Sequence, residues 1–216
     1  MWVVRDIKRT KTIIKMKKMK PLMDIEYEKL VWDKFPFDLV RFSVAMDGCC
    51  FFHAICKAYF KPYITGKVSD KNLNRREFVK SLRKDLSKML VKSYEKLANG
   101  ELLEISKSMD EYTLENMQKN LDSNEPVSNV YNEFISDQLN IDLYILDSVK
   151  RDVYMTGTDD KLLYKDRPSV VLLYLPGHYE LVGLMHSNNR VETYFEPDSP
   201  FILRIKERMN ELVSKK

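Results

Sequence analysis

Three cysteines and three histidines are the side chains of this sequence that could support nucleophilic chemistry. Cys50 follows the turn signal Asp47-Gly48, and apolar residues recur at helical spacing from Cys50 to Phe60, so we expect a helix to begin at Cys50. Unsatisfied N–H groups and the positive end of the helix dipole lie at such a start, and both favour thiolate over thiol. Because a helix terminus contributes only about 0.3–1 kcal/mol, a further cation is needed, normally an imidazolium.

The histidine best placed to supply that cation is His178. It follows a Pro176-Gly177 turn and opens a predicted strand, where a side chain can face a cleft while the sheet fixes its backbone. Glu180 lies two residues further on the same strand face. A carboxylate beside an imidazole can hold its tautomer and stabilise the imidazolium. These positions predict a triad of Cys50, His178 and Glu180.

The remaining cysteines and histidines are assigned structural roles. Cys49 precedes the helix as a loop residue, and Cys56 lies on its apolar side as a small core residue. His53 lies inside the first turn and would project from the helix wall rather than in front of its tip. His186 stands in a polar loop, where an exposed histidine is expected.

The elements that must position these residues fall into two successive parts of the chain. Helices are predicted over 24–34, 50–60, 75–98, 110–121 and 127–139. Strands are predicted over 141–146, 152–155, 162–164, 169–175, 178–185 and 190–196, followed by a helix over 200–213. Helices first and an antiparallel sheet afterwards predict an α+β fold, or an α-β-α sandwich built around a mixed sheet.

The net charge of +4 is unevenly distributed along the 216 residues. Residues 1–20 hold eight Lys and Arg against one acid, a net of +7, which leaves −3 for the other 196 residues. We therefore divide the chain into a basic N-terminal arm, 1–22, and a single domain, 23–216. The arm is interpreted as a solvated tail, with a localisation or membrane-surface signal as the alternative. A mildly acidic body speaks against nucleic acid as its partner.

Cysteine usage indicates a reducing compartment. The three cysteines are an odd number within eight residues, and no CxxC or Cys/His metal spacing exists. The N-terminus lacks the apolar core of a secretory signal, and the longest apolar run, 170–175, is far too short to cross a bilayer. We expect an intracellular, cytoplasmic monomer without a metal or cofactor.

Two segments together resemble a known family. The residues D-G-C-C-F-F-H-A at 47–54 resemble the D-G-N-C-L-F-x-A signature of the ovarian-tumour (OTU) family of cysteine deubiquitinases. The residues H-Y-E at 178–180 are similar to the family's H-Y-D or H-Y-N segment. The resemblance covers 38–185 and is specific at both ends. It implies a papain-like α-β-α sandwich of OTU type, with helices on a small, largely antiparallel mixed sheet. The compact size and the basic arm would suit a virus or an intracellular bacterium.

The resemblance also implies a reaction. Cys50 would attack the isopeptide carbonyl after the ubiquitin C-terminal glycine, and a thioester would form. His178 would be the general base and Glu180 the residue that orients it. The partner would be ubiquitin, polyubiquitin chains or a ubiquitin-like modifier, and neither metal nor cofactor would be needed.

Backbone N–H groups would form the oxyanion hole in this interpretation. The loop that supplies them comprises Asp47, Gly48, Cys49 and Cys50. Two positions depart from the family pattern, since Cys49 replaces Asn and Glu180 replaces Asp or Asn. Because of the second departure, Asp47 and Asn188 stay open as alternative residues that orient His178.

Three other functions stay open. A papain-like protease with another substrate shares the order of cysteine before histidine. A catalytically inactive ubiquitin-binding module would keep the fold without turnover. A nucleic-acid-binding protein would act through the basic arm and show steep salt dependence.

Overall fold

The computed structural model describes residues 26–155 and 163–214. The helices of these ranges are α1 (Cys50–Tyr59), α2 (Lys61–Thr65), α3 (Arg75–Leu90), α4 (Glu101–Ser106), α5 (Leu114–Leu121), α6 (Asn132–Leu139) and α7 (Pro200–Val213). The strands are β1 (Glu28–Leu30), β2 (Leu39–Phe42), β3 (Lys67–Val68), β4 (Lys71–Asn72), β5 (Asp142–Asp147), β6 (Asp152–Val153), β7 (Ser169–Leu175), β8 (His178–Met185) and β9 (Val191–Glu192). Short 3₁₀ segments lie at Tyr94–Gly100, Asp110–Tyr112 and Asn129–Tyr131.

One mixed sheet organises the molecule. Its strand order is β1-β2-β8-β7-β5-β6, and β9 pairs with β8. The β5–β7 pair is parallel, and the other pairs of this sheet are antiparallel. The small β3–β4 ribbon lies apart from it. The mixed, largely antiparallel sheet of the α+β prediction is thus confirmed.

Each face of the sheet carries its own hydrophobic core. On one face, Phe52 of α1 packs in the same cluster as Leu172 and Leu181 of the central strands. On the other face, Val171 of β7 belongs to a cluster with Phe201 of α7. Successive side chains of a strand point to opposite faces, so the continuously apolar β7 serves both cores. The result is the α-β-α sandwich that the sequence predicts.

The N-terminal part of the domain corrects one prediction. The helix predicted over 24–34 is wrong for its described residues, because Glu28–Leu30 is an edge strand paired antiparallel with Leu39–Phe42. Backbone pairing to a neighbouring strand outweighs a weak local preference for helix. The arm predicted over 1–22 lies outside the described residues.

Other predicted boundaries also differ from the structure. The helix predicted over 75–98 ends at Leu90, and Ala98 and Asn99 have φ angles of 51° and 54° that no continuous helix allows. The strand predicted over 190–196 is reduced to Val191–Glu192 and one bridge to Phe195. In the strand predicted over 162–164, the described residues 163–164 are not extended. Among the described residues, no helix is long and apolar enough to cross a membrane.

Candidate active site

The Cys50 thiol lies at the first residue of α1, as the sequence predicts. The Cys50 backbone N–H donates to the Asp47 carbonyl at 3.1 Å, which closes the turn before the helix. The N–H groups of Tyr179 and Phe51 lie on the side of the thiol and lower its pKa. Only 5% of Cys50 is exposed. The thiol is therefore held between the start of a helix and the start of a strand.

The protonation of Cys50 differs from the expectation that a helix start favours the thiolate. Burial raises the pKa of the Cys50 thiol, and this effect exceeds the opposing donation by the Tyr179 and Phe51 N–H groups. The neighbouring Asp47 carboxylate also raises it. Desolvation penalises the charged form of any buried acid, and two N–H donors offset only part of that cost. The surroundings of Cys50 in the unliganded protein therefore favour the thiol over the thiolate.

His178 is the first residue of β8 and is 8% exposed. It pairs with Leu175 of β7 across the Pro176-Gly177 turn, where Gly177 has a φ of 76°. The N–H of the next residue, Tyr179, lowers the pKa of the Cys50 thiol. The structure therefore brings Cys50 against the peptide group that directly follows His178.

Glu180 is buried but has partners other than an imidazole. Its carboxylate accepts a hydrogen bond from Ser43 Oγ at 3.1 Å and one from Arg41 Nη1 at 3.3 Å. Among the described residues, no hydrogen bond joins Glu180 to His178. The orienting role of Glu180 therefore stays a prediction, and Arg41 and Ser43 are the residues that hold its carboxylate.

The alternative interpretation pairs Asp47 with His178, but in the structure Asp47 lies beside His53. Its Oδ1 accepts the Cys49 N–H at 3.0 Å, and its Oδ2 lies 3.3 Å from His53 Nε2. His53 Nδ1 lies 2.6 Å from the Tyr63 hydroxyl. Burial lowers the pKa of His53, and Asp47 opposes this effect. His53 is 1% exposed, so it supports the loop before the nucleophile from inside the core.

The other open alternative, Asn188, also has its own local partner. Its side-chain oxygen accepts the Arg190 N–H at 3.1 Å within the loop between β8 and β9. His186 in the same region lies 2.9 Å from the Glu192 carboxylate. Neither residue hydrogen-bonds to His178.

Cys56 of α1 is 1% exposed, and burial raises its pKa well above the ordinary thiol value.

The loop predicted to form the oxyanion hole uses two of its four N–H groups internally. Those of Cys49 and Cys50 both donate to Asp47, to the side chain and the carbonyl respectively. The N–H groups of Asp47 and Gly48 make no hydrogen bond within 26–155 and 163–214. These two N–H groups therefore have no hydrogen-bond partner in this conformation, as a donor that is to bind an oxyanion requires.

Arg83 is a buried residue beside this loop that the sequence does not single out. It lies on α3, is fully buried at 0% exposure, and its Nη1 donates to the Gly48 carbonyl at 3.2 Å. A signal for its burial was present, because Arg83 falls within the helical spacing of Val79, Leu82 and Leu86. However, an arginine next to an apolar helix face is usually expected to reach the solvent. The sequence also does not indicate which carbonyl groups Arg83 binds.

A cleft of about 880 Å³ opens beside Ser43, Val44 and Ala45, which precede the 47–50 loop. Neither Cys50 nor His178 lines it. Its lining includes eight side chains that can donate hydrogen bonds, namely Tyr27, Arg41, Ser43, His53, Lys57, Tyr63, Arg75 and Arg76. Two of them, Arg41 and Ser43, are the partners of Glu180, so the cleft adjoins the buried carboxylate near the start of β8.

The three cysteines are free thiols, and the described part of the chain holds no group of three or more His, Cys, Asp and Glu side chains that could bind a metal ion. The candidate groups around the starts of α1 and β8 are the Cys50 thiol, the His178 imidazole, the Glu180 carboxylate and backbone N–H donors, and no hydrogen bond of the described residues joins His178 to Cys50 or Glu180. This combination is the one that acyl transfer by a cysteine nucleophile uses.

Comparison with known proteins was made at the levels of sequence and structure. No family model matches the chain, and no curated protein matches it. Among solved structures, an ovarian tumor (OTU) domain in complex with ubiquitin aligns with a TM-score of 0.53 and 17% identity, over 82% of this chain and 85% of that one. The Hazara virus OTU bound to ubiquitin aligns with a TM-score of 0.45 and 13% identity, over 77% and 99%. The OTU domain protease of Dera Ghazi Khan virus gives 0.42 and 15%, over 76% and 98%. The first likeness shows that the chain has the fold of an OTU domain.

Proposed function

We propose that this chain, which has the OTU fold, is a cysteine isopeptidase that releases ubiquitin or a ubiquitin-like modifier from substrate lysines. The observation that carries the proposal is the position of the Cys50 thiol. It stands at the start of a buried helix, where the N–H of Tyr179, the residue next to His178, lowers the pKa of the thiol. Two loop N–H groups without partners lie in the turn before it.

The chemistry follows from these groups. His178 takes the Cys50 proton, and the thiolate attacks the isopeptide carbonyl while the Asp47 and Gly48 N–H groups stabilise the oxyanion. The imidazolium then gives its proton to the leaving lysine amine, and the C–N bond breaks. Water attacks the resulting thioester, with His178 again acting as base, and the free thiol is restored.

Ubiquitin enters this proposal through the structural neighbour, whose OTU domain is in complex with ubiquitin. The net charge of this chain beyond residue 20 is −3, which is compatible with a partner that has a basic tail. A reducing, cytoplasmic setting is proposed with it, because the thiolate is the reactive form and all three cysteines are free.

The direct test is covalent labelling with ubiquitin that carries an electrophile at its C-terminus. Cys50→Ala is expected to abolish both labelling and chain cleavage. Cys56→Ala is the matched control, since it removes an equally buried thiol of the same helix. Labelling that survives in Cys50→Ala and disappears in Cys49→Ala would show that the nucleophile is Cys49 and that the assignment to Cys50 is wrong.

The base is tested in the same assay. His178→Ala is expected to remove nearly all turnover, whereas His186→Ala, in the exposed loop, should cost little. Circular dichroism of both variants establishes that they fold. Retained turnover in a folded His178→Ala variant would refute the assignment of the general base.

A second candidate is a ubiquitin-binding module without turnover. The raised pKa of Cys50 and the engagement of Glu180 by Arg41 and Ser43 favour it. It predicts that calorimetry detects ubiquitin binding while the electrophilic probe leaves Cys50 unmodified. Labelling of Cys50 at a rate that depends on His178 excludes it.

A further inference from the structure

Arg83 is the most completely buried charged side chain at the site, and its hydrogen bonds go to neutral acceptors. Nε donates to the Leu121 carbonyl at 3.0 Å, and Nη2 donates to the carbonyls of Asn120 and Glu125 at 2.8 and 2.7 Å. Nη1 donates to the Gly48 carbonyl and to the Cys49 sulfur, both at 3.2 Å. One guanidinium thus joins the loop before the nucleophile to the loop after α5.

The two loops that Arg83 joins are in direct backbone contact. A Cβ added at Gly48 would overlap the Asn124 carbonyl oxygen, so only glycine allows this approach. The guanidinium lies 5.0 Å from the ring centroid of Phe52, which covers it from the α1 side. Arg83 therefore contacts Gly48, Cys49 and Phe52, three positions of the motif that contains the nucleophile.

Burying a guanidinium costs several kcal/mol, and an apolar side chain would fill the same volume without that cost. What an apolar side chain cannot do is bind carbonyl groups. The carbonyl and the N–H of one trans peptide point in opposite directions, so holding the Gly48 carbonyl fixes the N–H of Cys49 as well. That N–H donates to Asp47, and the turn that leads into Cys50 is thereby set.

We propose that Arg83 is a positioning residue for the thiol chemistry. By binding the Gly48 carbonyl, it fixes the Gly48–Cys49 peptide group, whose N–H donates to Asp47, and thereby holds the 47–50 turn in the conformation that leads into Cys50. This inference rests on the proposed isopeptidase function, but it concerns the loop and not the identity of the substrate. Arg83 touches no reacting atom and acts through the backbone.

The experiment compares Arg83→Lys, which keeps the charge but loses the forked geometry, with Lys84→Met, an exposed change at the adjacent position of α3. Arg83→Lys is expected to lower kcat on a ubiquitin substrate about 10-fold to 100-fold, with KM within twofold of wild type. Arg83→Gln is expected to lose at least as much. Lys84→Met should match wild type in both constants.

Hydrogen exchange supplies a readout that a merely structural role would not give. In Arg83→Lys the amides of 47–50 are expected to exchange more than tenfold faster, while those of α7 on the opposite sheet face stay unchanged. Four results for Arg83→Lys would each overturn the proposal. Two are kinetic, namely a wild-type kcat or a change confined to KM. The others are hydrogen exchange that is accelerated equally in 47–50 and α7, and loss of the cooperative unfolding transition. If wild type itself fails to react with the ubiquitin probe, the proposed function fails, and the exchange measurement still decides whether Arg83 orients the loop.

Discussion

At the scale of single residues, the Cys50 thiol is governed by two opposing effects. Burial raises its pKa, and the N–H groups of Tyr179 and Phe51 lower it. Burial is the larger effect in the unliganded protein. The energy that activates the thiol therefore has to come from His178 and from the bound substrate, because the helix start is insufficient.

This balance predicts the pH dependence of alkylation. A raised pKa moves the midpoint of thiolate formation to higher pH, so the rate of Cys50 modification by iodoacetamide should still be rising at pH 9. The measurement uses mass spectrometry of a Cys49→Ser, Cys56→Ser background, with Cys50→Ser as the blank. A plateau below pH 7.5 would mean that a cation neutralises the effect of burial before substrate binds.

Glu180 yields a second prediction at this scale. Glu180→Ala should lower the free energy of unfolding by about 2 kcal/mol, because Arg41 and Ser43 lose a buried charged acceptor. Glu180→Gln should lose less, since an amide oxygen still accepts from Ser43. Urea denaturation measures both losses.

Kinetics of the same Glu180 variants separate a structural role from an orienting one. If Glu180 orients His178, kcat/KM of Glu180→Ala falls more than tenfold and the acid limb of its pH profile moves. The alternative result is a kcat/KM of Glu180→Ala within threefold of wild type, a difference of less than about 0.7 kcal/mol, together with an unmoved acid limb. Glu180 would then have only the structural role of binding Arg41 and Ser43.

At the scale of elements, the β7–β8 hairpin sets the position of His178, the proposed general base. Gly177 has a φ of 76°, and no atom lies within 4 Å of where its Cβ would be. Gly177→Ala should therefore cost about 1 kcal/mol of stability from backbone strain alone. Gly177→Asn should cost less, because asparagine tolerates the left-handed region. Thermal unfolding compares them, and equal stability of all three proteins would contradict the assigned turn.

The same elements show how far the sequence could be interpreted. The starts of α1, β8 and α7 were predictable, because each has a local signal: a glycine turn, a Pro-Gly turn and a serine cap before proline. The edge strand Glu28–Leu30 was not, because it exists through pairing with β2. The hydrogen-bond partners of Glu180 and Arg83 lie 34 or more residues away in sequence, and no local pattern encodes such contacts.

At the scale of the whole molecule, an ionic cluster ties the last helix to the far edge of the sheet. Arg208 of α7 donates to both oxygens of Asp152 on β6, at 2.9 and 2.7 Å. Lys34, from the loop between β1 and β2, binds the same carboxylate. Segments from both ends of the described chain thus meet at one acidic side chain, on the opposite side of the sheet from α1.

This cluster predicts how stability depends on pH. Burial would raise the pKa of Asp152, but Arg208 and Lys34 outweigh it and hold the pKa well below its ordinary value. A depressed folded-state pKa contributes stability above the unfolded-state value of about 3.9 and loses it as the pH falls further. Asp152→Asn should therefore unfold about 1–2 kcal/mol more easily than wild type at pH 7.

The difference between wild type and Asp152→Asn should shrink below pH 4. Urea denaturation at pH 7, 5 and 3 measures it, and Asp33→Asn, at an exposed neighbouring carboxylate, is the control. A difference that stays constant from pH 7 to pH 3 would show that the charge of Asp152 is not the source of its contribution.

The contact between Gly48 and the Asn124 carbonyl bears on how a saturation mutagenesis map of this protein would be interpreted. Position 48 would tolerate almost nothing, as strictly as Cys50 and His178 do, although its residue has no side chain to take part in chemistry. A map scored on activity alone would group the three together. A parallel map scored on cellular abundance would separate them, because a side chain at 48 forces two loops apart, whereas Cys50→Ala leaves the packing intact. Intolerance in both maps marks a position fixed by shape, and intolerance in the activity map alone marks one fixed by reactivity.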